Sequence, residues 1–572
     1  MLSRIILRDP QQGCWYEYSQ PLAVLHAARL DDVLPVLANI EARVEEESLY
    51  AAGFVTYEAA AGFDSHLTTH PPGSLPLLCF GLFDQRTRLE TLPEQAESRL
   101  GSWQDEVAPQ DYQQRIEWLR GHIAAGDTYQ VNYTTRLHAE GRINLGTFAR
   151  MAKDAPYGAY IEGDDFTVVS ASPELFFERQ GGVITSKPMK GTASRGLSSC
   201  ADMQQAQWLR QSDKNRAENL MITDMVRNDL GRVADVGSVQ VSELFGIECY
   251  PTVWQMTSTV TARSEASVVD LFTTLFPGAS ITGAPKYASM QFIRQSEVSP
   301  REIYTGTIGL IAPGQYALFN IAIRTAWSDK LSNTSRYGAG GGIVWDSDGA
   351  DEFAELQVKT RVLHAERRLF ELLETMRWTP EQGIYLRQRH MQRLADSALY
   401  FAYLYEPQEI EHALQVHLDS LPPRPHRVRL CLKENGAVHV ESEELVLSDQ
   451  VQILALAAHP VCADDVSLYH KTTDRKVYQQ ATATVPAGQE ALLYNTRGFV
   501  TESAIANIVY RMAGKLYTPP VSDGLLPGTL RGQLLAEGEV QERSLHLDQL
   551  DEVESWYLVN ALRGWRTAEF RR

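Results

Sequence analysis

Two lysines lie in segments where an amine could do chemistry. Lys190 lies in PMKGT, between a proline and a glycine, which predicts a tight turn at the end of a strand. A lysine fixed in this way could bind an anion or, with a lowered pKa, act as a nucleophile; an exposed surface lysine explains the same pattern. Lys471 lies in YHKTTDR, which we predict to be a strand end, and a surface position is again the alternative.

Three carboxylates could hold a divalent cation. Glu352 and Glu355 are three residues apart in a predicted helix, so both lie on one face of it, and Glu218 opens a second amphipathic helix. Carboxylates that converge from two helices suit Mg²⁺, which keeps several waters and bridges to an anionic substrate. A solvated acidic helix face explains the same spacing, so both interpretations remain open.

Glycines could bring backbone amides close to an anion. We predict that the run 340–342 forms a turn that could cradle a carboxylate, although such a turn could also serve only close packing. The dinucleotide-binding pattern GxGxxG is absent, and FPGASITGAPK (276–286) lacks the GK[ST] ending of a phosphate-binding P-loop. A second candidate is the predicted helix that Gly528, Thr529 and Leu530 open, because the first amides of a helix are free to bind an anion.

Composition excludes several classes of function. The 572 residues carry a formal net charge of −19, which disfavours binding to nucleic acid or to an anionic membrane. No stretch approaches the roughly 18–20 apolar residues of a membrane span, and the N-terminus lacks the features of a signal peptide, so we expect a cytoplasmic protein. The six cysteines form neither a disulfide framework nor a zinc-ligand pattern.

The pattern of apolar residues predicts a chain of mixed helices and strands in more than one domain. The first residues predict a strand, VLHAARLDDVLPVLANIEARVEEE (24–47) predicts a helix, and a second helix over 112–125 ends at Gly126. Strands then alternate with helices up to about residue 363. A charged helical segment, RVLHAERRLF (361–370), leads into a second, smaller unit.

Eight motifs in the first part of the chain resemble those of the chorismate-utilising enzymes, which include anthranilate, aminodeoxychorismate and isochorismate synthases. In chain order they are GDTYQVNYTTR, SPELF, SKPMKGTASRG, DKNRAENLMITDMVRNDLGRV, FPGASITGAPK, YTGTIG, IAIRT and AGGGIV. The resemblance covers residues 1 to about 363. It implies a two-sheet α/β sandwich within an α+β chain, with chorismate as substrate and Mg²⁺ as metal.

The resemblance also assigns roles to individual residues. It implies that Glu174 is the general acid or base near the departing hydroxyl and that Lys190 is a nucleophile. Glu218 and Glu355, assisted by Glu352, would hold Mg²⁺. The residues that would bind or support the substrate are Tyr304, Arg324, Gly340, Gly341, Gly342, Thr282 and Lys359.

Lys190 distinguishes between members of this family. Anthranilate synthases usually carry alanine at this position, whereas aminodeoxychorismate synthases carry a lysine proposed to attack carbon 2 of chorismate before ammonia enters at carbon 4. By the same resemblance, isochorismate synthases carry a lysine base at the position of Gln130. Glutamine cannot deprotonate water, so this chain lacks the base of that reaction. Two further departures are Gln255, where many relatives carry histidine, and Asn215, where the family has a second carboxylate. No counterpart of the LLES motif is present, so we do not expect inhibition by tryptophan.

The second part of the chain resembles the fold-type IV pyridoxal-phosphate enzymes, a family of aminotransferases and 4-amino-4-deoxychorismate lyase. The matching segments are LLETMRW, HMQRL, HKTTDR, VTESAIANIV and LLPGTLRG. The resemblance implies that Lys471 holds pyridoxal 5'-phosphate covalently and that Glu502 pairs with the pyridine nitrogen. Arg393 and the amides of Thr529 and Leu530 would hold the phosphate, and Asn560 would lie beside the cofactor.

Together these features predict a bifunctional enzyme. The expected parts are an N-terminal subdomain (1–110), a chorismate-binding domain (111–363), a linker (364–371) and a fold-type IV domain (372–572). We expect conversion of chorismate to 4-aminobenzoate, with ammonia supplied free or by a separate glutamine amidotransferase, and by analogy a homodimer. The alternatives are an anthranilate-type or aminodeoxychorismate-accumulating synthase fused to a transaminase, and a synthase whose second half only binds cofactor or dimerises.

Overall fold

The structure, a computed structural model, describes residues 2–153, 155–250, 252–363, 370–446 and 450–571, with Arg361 described only in its backbone. The chain divides into two compact units: the first contains residues 1–194 and 206–367, and the second contains residues 195–205 and 368–572. Residues 364–369, most of the predicted linker, lie outside the described residues. The predicted domain boundaries therefore stay a prediction.

Strands dominate the first unit. In its segments apolar residues either alternate with polar ones or form continuous runs, and both patterns fit the strands of a buried sheet. In chain order they are β1 Leu2–Asp9, β2 Cys14–Ser19, β3 Ala23–Ala27, β4 Tyr50–Val55, β5 Leu78–Phe83, β6 Thr87–Leu89, β7 Gln104–Asp105, β8 Gln130–Glu140, β9 Tyr157–Gly163, β10 Phe166–Ser172, β11 Leu175–Gln180, β12 Val183–Lys187, β13 Met189–Ser194, β14 Gln240–Cys249, β15 Val253–Arg263, β16 Gly283–Ala284, β17 Thr307–Ala312, β18 Tyr316–Asn320, β19 Thr325–Asp329 and β20 Thr334–Ile343.

These strands form two sheets of ten strands each in the residues described. The first has the order β16-β8-β20-β19-β10-β9-β1-β2-β6 with β7 beside β8, and the second has the order β13-β15-β12-β11-β18-β17-β4-β5-β3 with β14 beside β15. Apolar side chains from both sheets, among them Ile5, Phe54, Ile161 and Leu310, share one buried cluster. The sheets therefore pack face to face, and strands far apart in sequence meet side by side.

Helices cover the outer faces of the two sheets. Before residue 361 they are α1 Val33–Glu47, α2 Ala60–Phe63, α3 Pro109–Ala125, α4 Leu145–Ala152, α5 Ser199–Gln211, α6 Asp213–Gly231, α7 Val268–Leu275, α8 Lys286–Ser296 and α9 Gly349–Thr360. One buried cluster joins α1 and α7 to the second sheet, and another joins α3, α4 and α9 to the first. No helix in the described part of the chain is long and apolar enough to cross a membrane.

The predicted helix over 24–47 is wrong in its first third. Residues Ala23–Ala27 form β3, which pairs with β5, and the helix begins only at Val33. Apolar residues follow helical spacing over the whole segment, so the pattern does not mark where the strand ends and the helix begins. A strand at the edge of a sheet also tolerates irregular burial. The helix ending at Gly126 is confirmed: it spans Pro109–Ala125, and Gly126 adopts the left-handed conformation with φ of 81°.

The second unit contains a small antiparallel sheet and a larger mixed one. Its strands are β21 Leu372–Thr379, β22 Gly383–Ile384, β23 His426–Leu432, β24 Val438–Glu444, β25 Gln452–Leu456, β26 Glu490–Tyr494, β27 Val500–Ser503, β28 Asn507–Met512, β29 Lys515–Thr518, β30 Gln541–Glu542, β31 Ser555–Asn560 and β32 Gly564–Arg571. The small sheet has the order β22-β21-β23-β24. In the larger one, β27, β26, β25, β32, β31 and β28 pair in a closed ring, which β29 and β30 extend.

Four helices pack against these sheets in the described part of the second unit: α10 Arg387–Phe401, α11 Pro407–Asp419, α12 Lys476–Thr482 and α13 Thr529–Ala536. The segment 195–205 also belongs to this unit. Arg195, 7% exposed at its side chain, binds both oxygens of Asp202 and donates to the Tyr400 carbonyl at 2.9 Å. The guanidinium also lies over the Tyr400 ring.

Loss of this buried ion pair should destabilise the second unit. Arg195→Ala leaves the Asp202 carboxylate buried without its cation, which costs roughly 3–5 kcal/mol in comparable pairs. We expect a lower melting temperature for the calorimetric transition of the second unit in the full-length protein. Arg227→Ala is the control, because Arg227 pairs with Asp224 at an exposed position. Equal effects of the two substitutions would contradict the structural role of segment 195–205.

Candidate active sites

A cavity of about 560 Å³ in the first unit collects most of the residues predicted for chorismate chemistry. Its walls come from β13, β20, the helices α6 and α9, and the loops between β10 and β11 and before β17. The predicted residues that line it are Glu174, Lys190, Glu218, Tyr304, Arg324, Gly340, Gly341, Gly342, Glu352, Glu355 and Lys359. The volume suits a small organic substrate.

Glu174 is a buried carboxylic acid in the loop between β10 and β11. Only 3% of the residue is exposed. The Ser280 hydroxyl donates to its Oε1 at 2.7 Å, and the backbone N–H of Met189 donates to the same oxygen at 3.3 Å. Burial raises the pKa of Glu174 to about 7, although these two donors oppose the shift. An acid with this pKa can both give and take a proton near neutral pH.

Lys190 lies on a strand and not in a tight turn. It is the second residue of β13, whose pairing with β15 is irregular between Met189 and Thr192, and Gly191 after it has φ of 103°. The strand directs the amine to the cavity wall at Gly342. A side chain at position 342 would clash with Lys190 Nζ and with the Gln130 amide, so glycine there makes room for both groups.

The predicted glycine turn is also a strand. Gly340, Gly341 and Gly342 lie in β20 and pair with Thr134, Tyr133 and Asn132 of β8. A side chain at Gly340 would clash with the backbone of β8. Close packing of the two strands therefore requires glycine at this position. The prediction of a turn is wrong because glycines have no side chains, so a glycine run carries no apolar pattern that could indicate a strand. Its role in binding a substrate carboxylate stays a prediction.

The three predicted metal ligands line the cavity without forming a preassembled cluster. In the residues that the structure describes, no three His, Cys, Asp or Glu side chains are grouped to hold a metal ion. Glu355 pairs with Lys359 at 2.7 Å, and Glu352 accepts from the Ser347 hydroxyl at 2.7 Å. Lys359 holds the pKa of Glu355 below its usual value, whereas burial and then the neighbouring Glu355 raise the pKa of Glu352.

These carboxylates nevertheless fit Mg²⁺ by their chemistry. Their carboxylate oxygens are hard donors. Glu352 and Glu355 repel each other, and a bound cation would relieve that repulsion. Mg²⁺ needs only one or two protein carboxylates when water and substrate complete its coordination. Glu218 faces the same cavity from within α6, which begins at Asp213 and not at Glu218 as predicted. A metal site therefore remains a prediction that the donor set supports.

Tyr304 and Arg324 are positioned by close packing. Burial raises the pKa of Tyr304 to about 12, so its phenol stays a proton donor. A side chain at Gly338 would clash with the Tyr304 ring, so this glycine of β20 gives the ring its place. Arg324 adopts φ of 50°, in the left-handed region, and stacks at 5.6 Å on Tyr250. Burial lowers the pKa of this guanidinium.

Thr282, predicted to bind or support the substrate, does not itself line the cavity. It is fully buried, and its hydroxyl donates to the Gly278 carbonyl at 3.0 Å. Its own carbonyl accepts from the Asn132 N–H at 2.8 Å. The hydroxyl is therefore used within the loop 278–282, so Thr282 supports the wall in which Ser280 and Ile281 face the cavity.

Several residues of this cavity escaped the prediction from sequence. Ser280 orients Glu174 from 106 residues away, and no local spacing signals that contact. Lys214 and Trp208 line the cavity from α6 and α5. The two departures noted in the sequence also lie there: Gln255 donates to the Thr192 hydroxyl at 3.0 Å, and Asn215 donates to Ser212 at 2.8 Å.

The second unit brings the predicted cofactor lysine and glutamate within electrostatic range of each other. Lys471 lies in a loop that follows a short 3₁₀ turn, not at a strand end as predicted. Burial, followed by the positive charge of Arg393, lowers the pKa of Lys471 to about 8. Glu502, on β27, is 3% exposed, and burial raises its pKa to about 7.

Glu502 is held by three donors. They are the Tyr478 hydroxyl at 2.8 Å, the Leu526 N–H at 3.0 Å and the Asn507 amide at 3.1 Å. A buried carboxylate fixed in this way, beside an amine with lowered proton affinity, fits the pyridine nitrogen and the aldehyde carbon of pyridoxal phosphate. These residues therefore fit the cofactor that the sequence predicts.

The predicted phosphate ligands lie around the start of α13. Thr529 is the first residue of α13, after Gly528, where a side chain would clash with the Asn507 amide. Leu530 follows it, so both amides belong to the helix start, where backbone N–H groups have no intrahelical partner. Arg393 binds Glu374 with two nitrogens and reaches the Pro527 carbonyl at 3.4 Å.

Asn560 ends β31. Its amide donates to the Ile505 carbonyl at 3.1 Å and accepts from the Arg563 N–H at 2.7 Å. These contacts hold the turn to β32. Its predicted place beside the cofactor stays a prediction.

Comparisons with known proteins agree with this division. Residues 85–365 match the family model described as chorismate binding enzyme, and residues 371–569 match the model described as amino-transferase class IV. The chain is 38% identical to aminodeoxychorismate synthase component 1 of Salmonella typhimurium over 309 residues, which are 52% of this chain and 67% of that protein. The chain belongs to the chorismate binding enzyme family. It also carries a class IV aminotransferase domain.

A second relative and a solved structure extend the comparison. Aminodeoxychorismate synthase component 1 of Klebsiella aerogenes is 40% identical over 299 residues, which are 50% of this chain and 65% of that protein. The chain thus spans just under two thirds of that relative's length. Anthranilate synthase component I of Streptococcus pneumoniae aligns with a TM-score of 0.54 at 21% identity, covering 64% of this chain and 92% of that one. The predicted fold class, a two-sheet sandwich followed by a fold-type IV domain, is confirmed.

The raised pKa of Glu174 predicts how its replacement changes stability with pH. The folded state holds this proton up to about pH 7, whereas the unfolded chain loses it near its usual pKa of 4.5. Folding stability should therefore fall by up to about 3 kcal/mol as the pH rises between these values. Glu174→Gln stays neutral, so between pH 5 and pH 8 its unfolding free energy should rise by that amount relative to the parent.

Urea unfolding of the first unit at both pH values measures this difference. Ser280→Ala removes a donor that lowers the same pKa, so it should steepen the loss of stability in the protein that keeps Glu174. A constant difference between Glu174→Gln and the parent at pH 5 and pH 8 would contradict the burial argument.

Proposed function

We propose that the protein converts chorismate to 4-aminobenzoate in two steps, one in each unit. The first unit would replace the carbon 4 hydroxyl of chorismate by an amino group, and the second would eliminate pyruvate. The observation that carries the first step is the amine of Lys190 in a cavity that also holds the acid Glu174 and several carboxylates. The second step rests on Lys471 and Glu502, whose shifted pKa values place an amine and a carboxyl group that both titrate near neutral pH within electrostatic range of each other.

In the first step Lys190 would act as a covalent nucleophile. Its amine attacks carbon 2, the ring double bonds shift, and the carbon 4 hydroxyl leaves as water with a proton from Glu174. Ammonia then attacks carbon 4, and the double bonds shift back as the carbon–nitrogen bond to Lys190 breaks. Lys190 would thereby split one difficult substitution into two allylic ones. Gln130, beside it, offers no base to activate water.

The remaining cavity residues would bind the dianionic substrate. Arg324 and Tyr304 would bind one carboxylate by a charge and a hydroxyl donor. Glu218, Glu352 and Glu355 would hold Mg²⁺, which when bound supplies positive charge for the other carboxylate. Lys359 donates to the Gly340 carbonyl at 2.8 Å and so ties α9 to the wall formed by β20.

In the second step Lys471 would move a proton at carbon 4 of the aminated ring. Pyridoxal phosphate, when bound, withdraws electrons from the carbon that bears the amine. Lys471 removes the proton there, the enolpyruvyl group leaves carbon 3, and the ring becomes aromatic. Glu502 would keep a proton on the pyridine nitrogen, for which a pKa of about 7 suits it. Elimination driven by aromatisation needs no keto-acid acceptor, in contrast to transamination.

The ammonia for the first step would come from solution or from a separate glutamine amidotransferase. None of the six cysteines lies in the GxCxGxQ-like context of a glutaminase nucleophile. The relatives in Klebsiella aerogenes and Salmonella typhimurium are named aminodeoxychorismate synthase component 1, and a component implies a partner. A homodimer through the class IV domain is proposed by analogy alone.

Product analysis tests the proposal. The purified protein, loaded with pyridoxal phosphate, is incubated with chorismate, Mg²⁺ and an ammonium salt, without a keto acid. We expect 4-aminobenzoate and pyruvate in equal amounts. Anthranilate would refute amination at carbon 4. Accumulated aminodeoxychorismate would refute elimination by the second unit, and dependence on a keto acid would favour a transaminase.

Lys190→Ala should lower chorismate amination by roughly 100-fold or more, because the covalent route is lost. Binding of Mg²⁺ should persist, since the carboxylates are unchanged, and calorimetric titration measures it. Lys330→Ala, which removes a lysine outside the cavity, is the control. Full amination by the Lys190→Ala variant would dispose of the nucleophile role.

Lys471→Ala should abolish covalent attachment of pyridoxal phosphate. Borohydride reduction followed by intact-mass analysis should find the added mass in the parent and in Lys476→Ala, whose lysine is exposed, but not in Lys471→Ala. The variant should still aminate chorismate in the first unit and accumulate the aminated product. A cofactor adduct that survives in Lys471→Ala would place the attachment at another lysine.

A further inference from the structure

One buried carboxylate organises two side chains of α10 beside the start of α13. Glu374, on β21, is 1% exposed. Its Oε2 lies 2.6 Å from His390 Nδ1, and both of its oxygens accept from Arg393, at 2.8 and 2.7 Å. Burial alone would raise the pKa of Glu374, but Arg393 and His390 hold it at about 2. The carboxylate is therefore ionised under all physiological conditions.

An ionised carboxylate fixes the orientation of His390. It can only accept, so Nδ1 of the imidazole must carry a proton, and Nε2 is the nitrogen that faces away from Glu374. Nε2 lies 3.5 Å from the Thr529 hydroxyl, a long contact that leaves the hydroxyl weakly held. His390 itself is 1% exposed, so water does not compete for this nitrogen.

Arg393 reaches the same place by a second contact. Two of its nitrogens are held by Glu374, and the third, Nη1, reaches the Pro527 carbonyl at 3.4 Å. Pro527 and Thr529 flank Gly528, immediately before and at the start of α13. Glu374 thus directs one donor of Arg393 and one nitrogen of His390 to the two sides of the same helix start.

We propose that Glu374 and His390 are positioning residues for a phosphate monoester bound at the start of α13. Glu374 would hold the Arg393 guanidinium in the orientation that meets the phosphate. His390 would accept from the Thr529 hydroxyl at Nε2 and so fix the residue whose backbone N–H meets the phosphate. This inference rests on the proposed binding of pyridoxal phosphate by the second unit and adds two residues that do not touch the cofactor. It predicts that they act on the phosphate of the cofactor and not on its ring.

Comparison of pyridoxal phosphate with pyridoxal separates these two effects. Both ligands carry the aldehyde that reacts with Lys471, but only the first carries the phosphate. Dissociation constants of both are measured on the full-length protein by the absorbance change near ~400–430 nm that accompanies attachment to lysine. The dissociation constant of pyridoxal divided by that of pyridoxal phosphate isolates the contribution of the phosphate site. This ratio does not depend on turnover.

His390→Asn should reduce this ratio roughly 5-fold, the size expected for one hydrogen bond between neutral groups. The asparagine amide reaches the position of Nδ1 and keeps the contact with Glu374, but not the contact with Thr529. His390→Gln, whose longer side chain reaches the position of Nε2, should recover part of the loss.

Glu374→Gln should reduce the ratio further, because it weakens the hold on both Arg393 and His390. His412→Gln and Glu409→Gln, at exposed positions of α11, should leave the ratio unchanged.

Thr529→Val tests the same contact from its other side, in case a substitution at Glu374 or His390 prevents folding. It removes the hydroxyl but keeps the volume, and it should lower the ratio as His390→Asn does. The double variant should lose no more than either single one, because both act through one contact.

The outcomes are distinct. Equal weakening of both ligands, or additive losses in the double variant, would overturn the positioning role while leaving cofactor binding intact. Failure of the parent protein to bind either ligand would overturn the proposed function of the second unit as well. Chorismate amination by the first unit, measured in the same preparations, reports that each variant chain is folded there.

Discussion

The account depends on one physical constraint: ionisable groups held away from water change their affinity for protons. Burial is the leading cause of the shifted pKa at Glu174, at Lys471 and at Glu502. It brings all three values to between about 7 and about 8, where a group can exchange a proton at neutral pH. A fold that buries these groups therefore supplies acids and bases that the same residues would not supply on the surface.

The two units achieve this burial by different means. In the first, two stacked sheets and their outer helices enclose a cavity to which strands and loops from residues 132 to 362 contribute. In the second, a closed ring of six strands carries Glu502, and a loop carries Lys471. In both units neutral donors fix the buried carboxylate: Ser280 at Glu174, and Tyr478 with Asn507 at Glu502. The carboxylates keep their positions without losing their titratable character.

Local sequence predicted the reactive residues better than their surroundings. The helix of Glu352 and Glu355 and the helix start at Thr529 follow from spacing and composition and are confirmed. The glycine run in β20 was mistaken for a turn because its glycines serve packing against β8, a contact over 200 residues of chain. Ser280 and His390 were missed for a related reason, since each acts through a partner that only the tertiary fold brings close. Family motifs identified the two families, which spacing alone could not do.

The central claim is most directly tested by the proton affinity of Lys471 in the full-length protein freed of pyridoxal phosphate. Trace labelling with an amine-reactive reagent over pH 6–11, read by peptide mass spectrometry, gives the pH dependence of its reaction rate. Exposed Lys476, five residues further on, is the internal reference in the same digest. The account predicts that labelling of Lys471 reaches half its maximal rate near pH 8, the pKa that burial sets. A midpoint near 10.5, the value of a solvated lysine, would contradict it.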